Sequence, residues 1–336
     1  MKRNPLFLLI LALPAIGQQP AAVTLSLKSE VTIEEKDGFR VITANGVPNH
    51  PVGRFPSRGN PNAISAQDYH FRVPLTPKPA VQQARGIVFG VALNGVVFDP
   101  GTAETWNGDM RWHYEALTGM MGTRGKMGAD ESLAHVQPNG AYHYHGMPVG
   151  LLEKLDYKKK MTLVGWAADG YPIYGPYAYT NPTDPKSPLK NLKAAYKLKS
   201  GNRPGGTEGP GGVCDGSFQQ DYEFVKGGDL DETCGRTGVT PEFPKGTYYY
   251  VVTENWPFIP RRLKGAPDPS FRKGGPTGLD RNNPGTANRN AGAGTPGGGA
   301  AMKANSKFLF IQRGNTLYQY SADGLKLLGK TELPPP

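Results

Sequence analysis

Apolar and polar positions alternate in short runs along this chain, and few stretches carry a helical spacing. Residues 23–28, 31–33 and 39–43 alternate, and Asp37-Gly38 supplies a turn signal between the last two, so two or three strands are predicted here. Residues 45–68 are polar and rich in proline and glycine and read as loop, and a strand follows at 69–73. The run 86–93 is apolar on both faces, as a central strand is, and Asn94-Gly95 turns it into a partner at 96–98. A short helical turn is predicted at 149–155, and strands 163–167 and 171–174 pair around Asp169-Gly170. Residues 178–220 read mostly as loop, and 247–253 is a strong β-branched and aromatic strand. The predicted class is mainly β: one sandwich-like β-rich domain with long loops over 18–264.

Beyond this domain, residues 265–304 turn to Gly, Pro, Asn, Ala and Arg and hold almost no large apolar side chains, so they read as a flexible linker. Residues 305–336 read as a small β-meander with strands at 308–311, 317–320 and 325–328. It resembles one blade repeat of a β-propeller, in a single copy.

Composition supports the same class, because glycine and proline exceed a fifth of the 336 residues. The first residues add a destination. Lys2 and Arg3 precede an apolar run, Leu6 to Leu13, and Ala15 and Gly17 place small residues at a signal-peptidase site. Residues 1–17 are therefore expected to be a signal peptide and the protein to be secreted, periplasmic or on the cell surface. That apolar run is too short to span a bilayer, and no later segment looks transmembrane. Cys214 and Cys234 fit an oxidising destination as a disulfide closing a loop of about 20 residues, worth about 3 kcal/mol.

The net charge is +10, or +8 without Lys2 and Arg3. Such a charge suits an anionic envelope or polysaccharide as partner, while no nucleic-acid module is recognisable.

The chemistry concentrates in 133–145, Leu-Ala-His-Val-Gln-Pro-Asn-Gly-Ala-Tyr-His-Tyr-His. Pro138-Asn139-Gly140 suits a three-residue hairpin loop, which pairs Gln137 with Ala141, Val136 with Tyr142 and His135 with His143. Alternation then puts His143 and His145 on one face beside His135, with Tyr142 and Tyr144 on the other. Three converging imidazoles suit a copper or zinc ion. A two-residue turn would place His135 on the wrong face. His113 is a candidate fourth ligand. His70 lies on a strand, and His50 in a Pro/Asn loop reads as solvent-facing. Asp169, Tyr142 and Tyr144 are candidates to support the ligands or to act as acid or base, and Asp231 and Glu232 lie beside the cysteine pair. Met120, Met121, Met127 and above all Met147 are close enough in sequence to help hold Cu(I).

The segment Ala141-Tyr-His-Tyr-His-Gly146 resembles the signature of the YHYH domain family. Val91-Ala-Leu-Asn-Gly-Val-Val-Phe-Asp-Pro100, Ala168-Asp-Gly-Tyr-Pro-Ile-Tyr-Gly175, Leu230-Asp-Glu-Thr-Cys-Gly-Arg236, Gly246-Thr-Tyr-Tyr-Tyr250 and Trp256-Pro257 agree with it, so the resemblance spans about 85–265. It implies an exported protein and assigns no activity.

Three functions are compatible with these residues: a metal-binding extracytoplasmic protein, a metal-dependent hydrolase or oxidoreductase, and a glycan-binding or adhesion module using Tyr171, Tyr174, Tyr177 and Trp256. No GxSxG or HExxH motif is present, and a cupin reading fails because Glu153 falls eight residues past His145.

Overall fold

The computed structural model describes residues 22–118 and 128–273 and, between 301 and 332, the pairing of four strands. The expected signal peptide, Met120, Met121, Met127 and linker residues 274–300 lie outside the described residues.

Strands β1 (Val31–Lys36), β2 (Phe39–Ala44) and β3 (Tyr69–Pro74) form an antiparallel sheet. Along β3 the alternation is complete: Tyr69, Phe71 and Val73 are buried, while His70 and Arg72 face solvent. After β4 (Pro79–Gln83) come β5 (Gly90–Ala92) and β6 (Val97–Phe98), the hairpin expected around Asn94-Gly95. β7 (Thr105–Trp106) pairs with β8 (Asp109–His113). β9 (Ala134–Val136) and β10 (Tyr142–Tyr144) form the histidine hairpin, and the helix α1 (Val149–Lys154) follows.

β11 (Leu163–Ala167) pairs with β12 (Pro172–Tyr174), as the turn at Asp169-Gly170 predicts. The stretch 178–220, read mostly as loop, contributes strands to two short ladders, β13 (Tyr177–Tyr179) with β14 (Leu189–Asn191) and β15 (Tyr196–Leu198) with β16 (Tyr222–Phe224) just past it. β17 (Gly235–Gly238) and β18 (Thr247–Val251) pair next, and β19 (Arg262–Gly265) returns to β4.

Eight of these strands make one mixed sheet in the order β17-β18-β12-β11-β5-β6-β10-β9. Two neighbour pairs, β6–β10 and β12–β18, are parallel. A parallel pair needs a long crossover, and the residues between the paired strands supply it in both cases. Ile42, Phe71 and Val73 of the small sheet and Val91, Val97 and Phe98 of the large one belong to one core. The mainly β class is thus observed. A second cluster gathers Met161, Tyr174, Leu192, Leu230, Tyr249 and Val251. Among the described residues, no helix is long and apolar enough to cross a membrane.

Two expectations are corrected. Cys214 and Cys234 form no disulfide; both are free. Cys234 sits in a turn with φ of 57° and points into the second core cluster, and burial pushes its thiol well above the usual range. Cys214 lies instead on a partly exposed loop, where its N–H donates to Gly201 O. Residues 265–273, assigned to the linker by composition, are packed. Phe271 is fully buried and stacks on Phe71 at 4.6 Å, and its carbonyl accepts from Val88 N at 3.0 Å.

The strands from residue 301 onward belong to a separate compact unit. Its strands β20 (Ala301–Ala304), β21 (Phe308–Arg313), β22 (Thr316–Ser321) and β23 (Leu327–Glu332) pair antiparallel in chain order. The meander expected over 305–336 supplies β21, β22 and β23, and β20, which falls in the expected linker, adds a fourth strand, the number in a propeller blade.

Truncating a buried phenylalanine removes its transfer free energy and leaves a cavity, at about 3–5 kcal/mol. Phe271→Ala is expected to lower unfolding stability by that amount in a denaturant titration. A loss below about 1 kcal/mol would show that this segment is not part of the folded domain.

Candidate metal centre

The histidine hairpin has the predicted register. Tyr142 faces Val136, His143 faces His135 and Tyr144 faces Ala134. The loop closes by Gln137 N donating to Ala141 O at 3.0 Å and Gly140 N to Gln137 O at 2.8 Å. Gly140 has φ of 84°, and a Cβ there would also meet Ser65 Oγ at 1.9 Å, so both backbone and space select glycine. The Pro/Asn loop before β3 covers the edge of β9: Asn60 and Asn62 both donate to Val136 O at 2.9 Å. That contact closes an edge strand otherwise open to pairing.

His143 and His145 are 2% exposed and His135 is half-buried. Their ligating atoms all lie within 4.8 Å of one another. His145 Nε2 is 2.9 Å from His143 Nε2 and 3.1 Å from His135 Nε2. His143 Nδ1 lies 3.2 Å from Ala141 O. A carbonyl only accepts, so this nitrogen carries the proton and the neutral ring keeps a lone pair on Nε2. His145 Nε2 therefore donates if its contact with His143 is a hydrogen bond. The same atom then has no in-plane lone pair left to accept from His135. A single cation could take up a lone pair from each of the three rings at once. Two Zn–N bonds of about 2.0–2.1 Å at a tetrahedral angle separate nitrogens by about 3.3 Å, and a right angle separates them by about 2.9 Å. The two spacings at His145 lie near this range.

The tyrosines hold β10 from its other face. Tyr142 Oη donates to Asp130 Oδ2 at 2.7 Å, and Asp130 also accepts from Gly53 N and Ser132 N. Burial raises the Asp130 carboxyl, and these donors oppose the rise. Tyr144 Oη lies 2.7 Å from His50 Nε2 and accepts from Asn94 Nδ2 at 2.9 Å. His50 Nδ1 is 2.8 Å from Pro51 O, so Nδ1 is the protonated nitrogen and Nε2 accepts the Tyr144 proton. Each polar atom in this chain has the role it needs. Gly146 ends the motif because a Cβ there would lie 2.5 Å from Leu133 Cδ1 and 2.9 Å from Leu117 Cδ1.

The family described as YHYH protein matches residues 70–265, well over half of the chain. The protein belongs to the YHYH family. No curated protein and no solved structure matches it.

In this YHYH domain the other expected site residues lie elsewhere. His113, on β8, is outside the three-histidine cluster; its backbone N–H donates to Gln220 Oε1. Asp169 is buried at the β11–β12 turn, where it accepts from Tyr250 Oη at 2.6 Å and Gly265 N at 2.8 Å. It ties that turn to β18 and β19 and does not reach the histidines. Asp231 accepts from Thr233 and Tyr248, again as a turn anchor. His70 is exposed and pairs with Asp68 at 2.9 Å. Met147 is buried in the main core. His50 is a correction in the opposite sense, being 5% exposed because α1 covers it: a Cβ on Gly150 would lie 2.6 Å from its ring.

Burial lowers the His50 pKa from 6.5. A depressed histidine costs no stability above the unfolded value, so its effect appears as pH falls from 6.5 toward the folded pKa. In that window the unfolded chain binds one more proton and stability drops by up to about 1.4 kcal/mol per pH unit. Urea unfolding between about pH 5 and 7.5 is expected to give a steeper acid slope for the wild type than for His50→Gln. Equal slopes would refute a neutral buried His50.

Proposed function

We propose that this YHYH protein binds a single copper or zinc ion through His135, His143 and His145, as an exported metal-binding protein. The convergence of three Nε2 atoms on the buried face of one hairpin carries the reading. The His143–Ala141 bond supports it by fixing the tautomer that presents Nε2, as ligating histidines require. Three protein ligands leave a coordination position for water or another small ligand. Export rests on the Lys2-Arg3 and Leu6–Leu13 signal, and the positive net charge favours an anionic envelope or polysaccharide surface nearby.

Affinity for a nitrogen site rises from zinc to copper among divalent ions. Protein purified without a histidine tag and stripped of metal is expected to take up one equivalent of either ion, and copper(II) to displace zinc(II). At a free-metal concentration of about 100 Kd the native state gains about 2.7 kcal/mol, seen as a raised melting temperature. His143→Ala and His145→Ala are expected to abolish both effects. Failure of the wild type to bind either ion, with an unchanged melting curve, would overturn the reading.

A further inference from the structure

β6 runs parallel to β10, with Val97 beside His143 and Phe98 beside Tyr144. Continuing the register brings Asp99 next to His145, and Asp99 N donates to Tyr144 O at 2.9 Å. Side chains alternate along a strand, so Val97 and Asp99 share the face of His143 and His145. Val97, Asp99, His143, Tyr69 and Lys273 line one small recess. Asp99 is 1% exposed and pairs with Lys273 Nζ at 2.6 Å, the Lys273 side chain being 16% exposed.

A buried carboxylate is costly unless a cation holds it, and Lys273 does so here. Asp99 lies outside the set of groups mutually close enough to share an ion with all three histidines. It is therefore not one of the shared ligands, and its place beside His145 on the same face sets it next to them. From there a carboxylate accepts hydrogen bonds and repels negative charge, and the ammonium next to it moderates that repulsion.

Resting on the metal reading above, we infer that the Asp99–Lys273 pair selects the ligand at the metal's remaining position. The class it favours is a neutral donor with an N–H or O–H next to the ligating atom, which binds the metal and donates to Asp99. Simple anions are disfavoured.

The test uses the full protein loaded with cobalt(II), whose visible spectrum reports exchange of the remaining ligand, with pyrazole as the neutral probe and azide as the anionic one. Asp99→Asn removes the charge at nearly constant shape and is expected to tighten azide and weaken pyrazole. Their affinity ratio should shift at least about tenfold, or about 1.4 kcal/mol. Lys273→Met is expected to weaken azide, and Lys273→Arg to restore it. Melting curves identify any variant that does not fold, and Asp99→Asn and Lys273→Arg keep the comparison open if Lys273→Met fails to. A wild type that binds no cobalt would overturn the metal reading and this inference with it. Cobalt binding with an unchanged azide-to-pyrazole ratio in folded Asp99→Asn would overturn this inference alone.

Discussion

The hydrogen bond from Tyr144 to His50 fixes which way β10 faces. Tyr144 gives its proton to His50 Nε2 and takes one from Asn94, and Tyr142 gives its proton to Asp130. These partners are buried, so a turned or slipped strand would leave several polar atoms without bonds at about 1–3 kcal/mol each. A slip by one residue would also carry His143 and His145 to the tyrosine face. The tyrosines thus set the register that the histidines need. Their hydroxyls bond to His50, Asn94 and Asp130 and not to the three hairpin histidines, and this separates their role from the supporting or acid–base role that their position in the sequence suggests.

Local patterns carried the hairpin. Pro138, Asn139 and Gly140 specify a loop, the loop specifies the register, and strand alternation sorts tyrosines from histidines, all within 11 residues of chain from His135 to His145. The partners of that hairpin were not legible in this way. His50 lies 94 positions from Tyr144, and Lys273 lies 174 positions from Asp99. A Pro/Asn loop reads as solvated because local composition says nothing of the helix that folds over it. Parallel pairing of β6 with β10 hides the proximity of Asp99 for the same reason, since no local turn encodes a crossover.

The misread cysteines and ladders follow a related logic. Pairing two cysteines in a loop-rich stretch assumes that loops bring them together, yet the turn at Asp231–Cys234 directs one thiol into the core. Leu189–Asn191 and Tyr196–Leu198 are three-residue ladders with central lysines, and so lack both the length and the alternation that announce a strand. At Phe271 one aromatic in a polar context was enough to extend the folded domain. Average composition conceals a single buried side chain of this kind.

Three imidazoles with mutually close Nε2 atoms are not a natural end state of core packing. Packing alone would be served by apolar side chains, which need no partners for ring nitrogens. Here His143 is oriented by a backbone carbonyl, and its other nitrogen is directed at an atom that must also serve His135. The backbone imposes this crowding through a loop glycine that tolerates no side chain and a Gly146 that leaves room for two leucines. The motif is therefore a strand with divided duties. Its tyrosines couple it to two distant segments, at His50 and Asn94, and to Asp130 just before β9, and its histidines are held close enough together to share one ion.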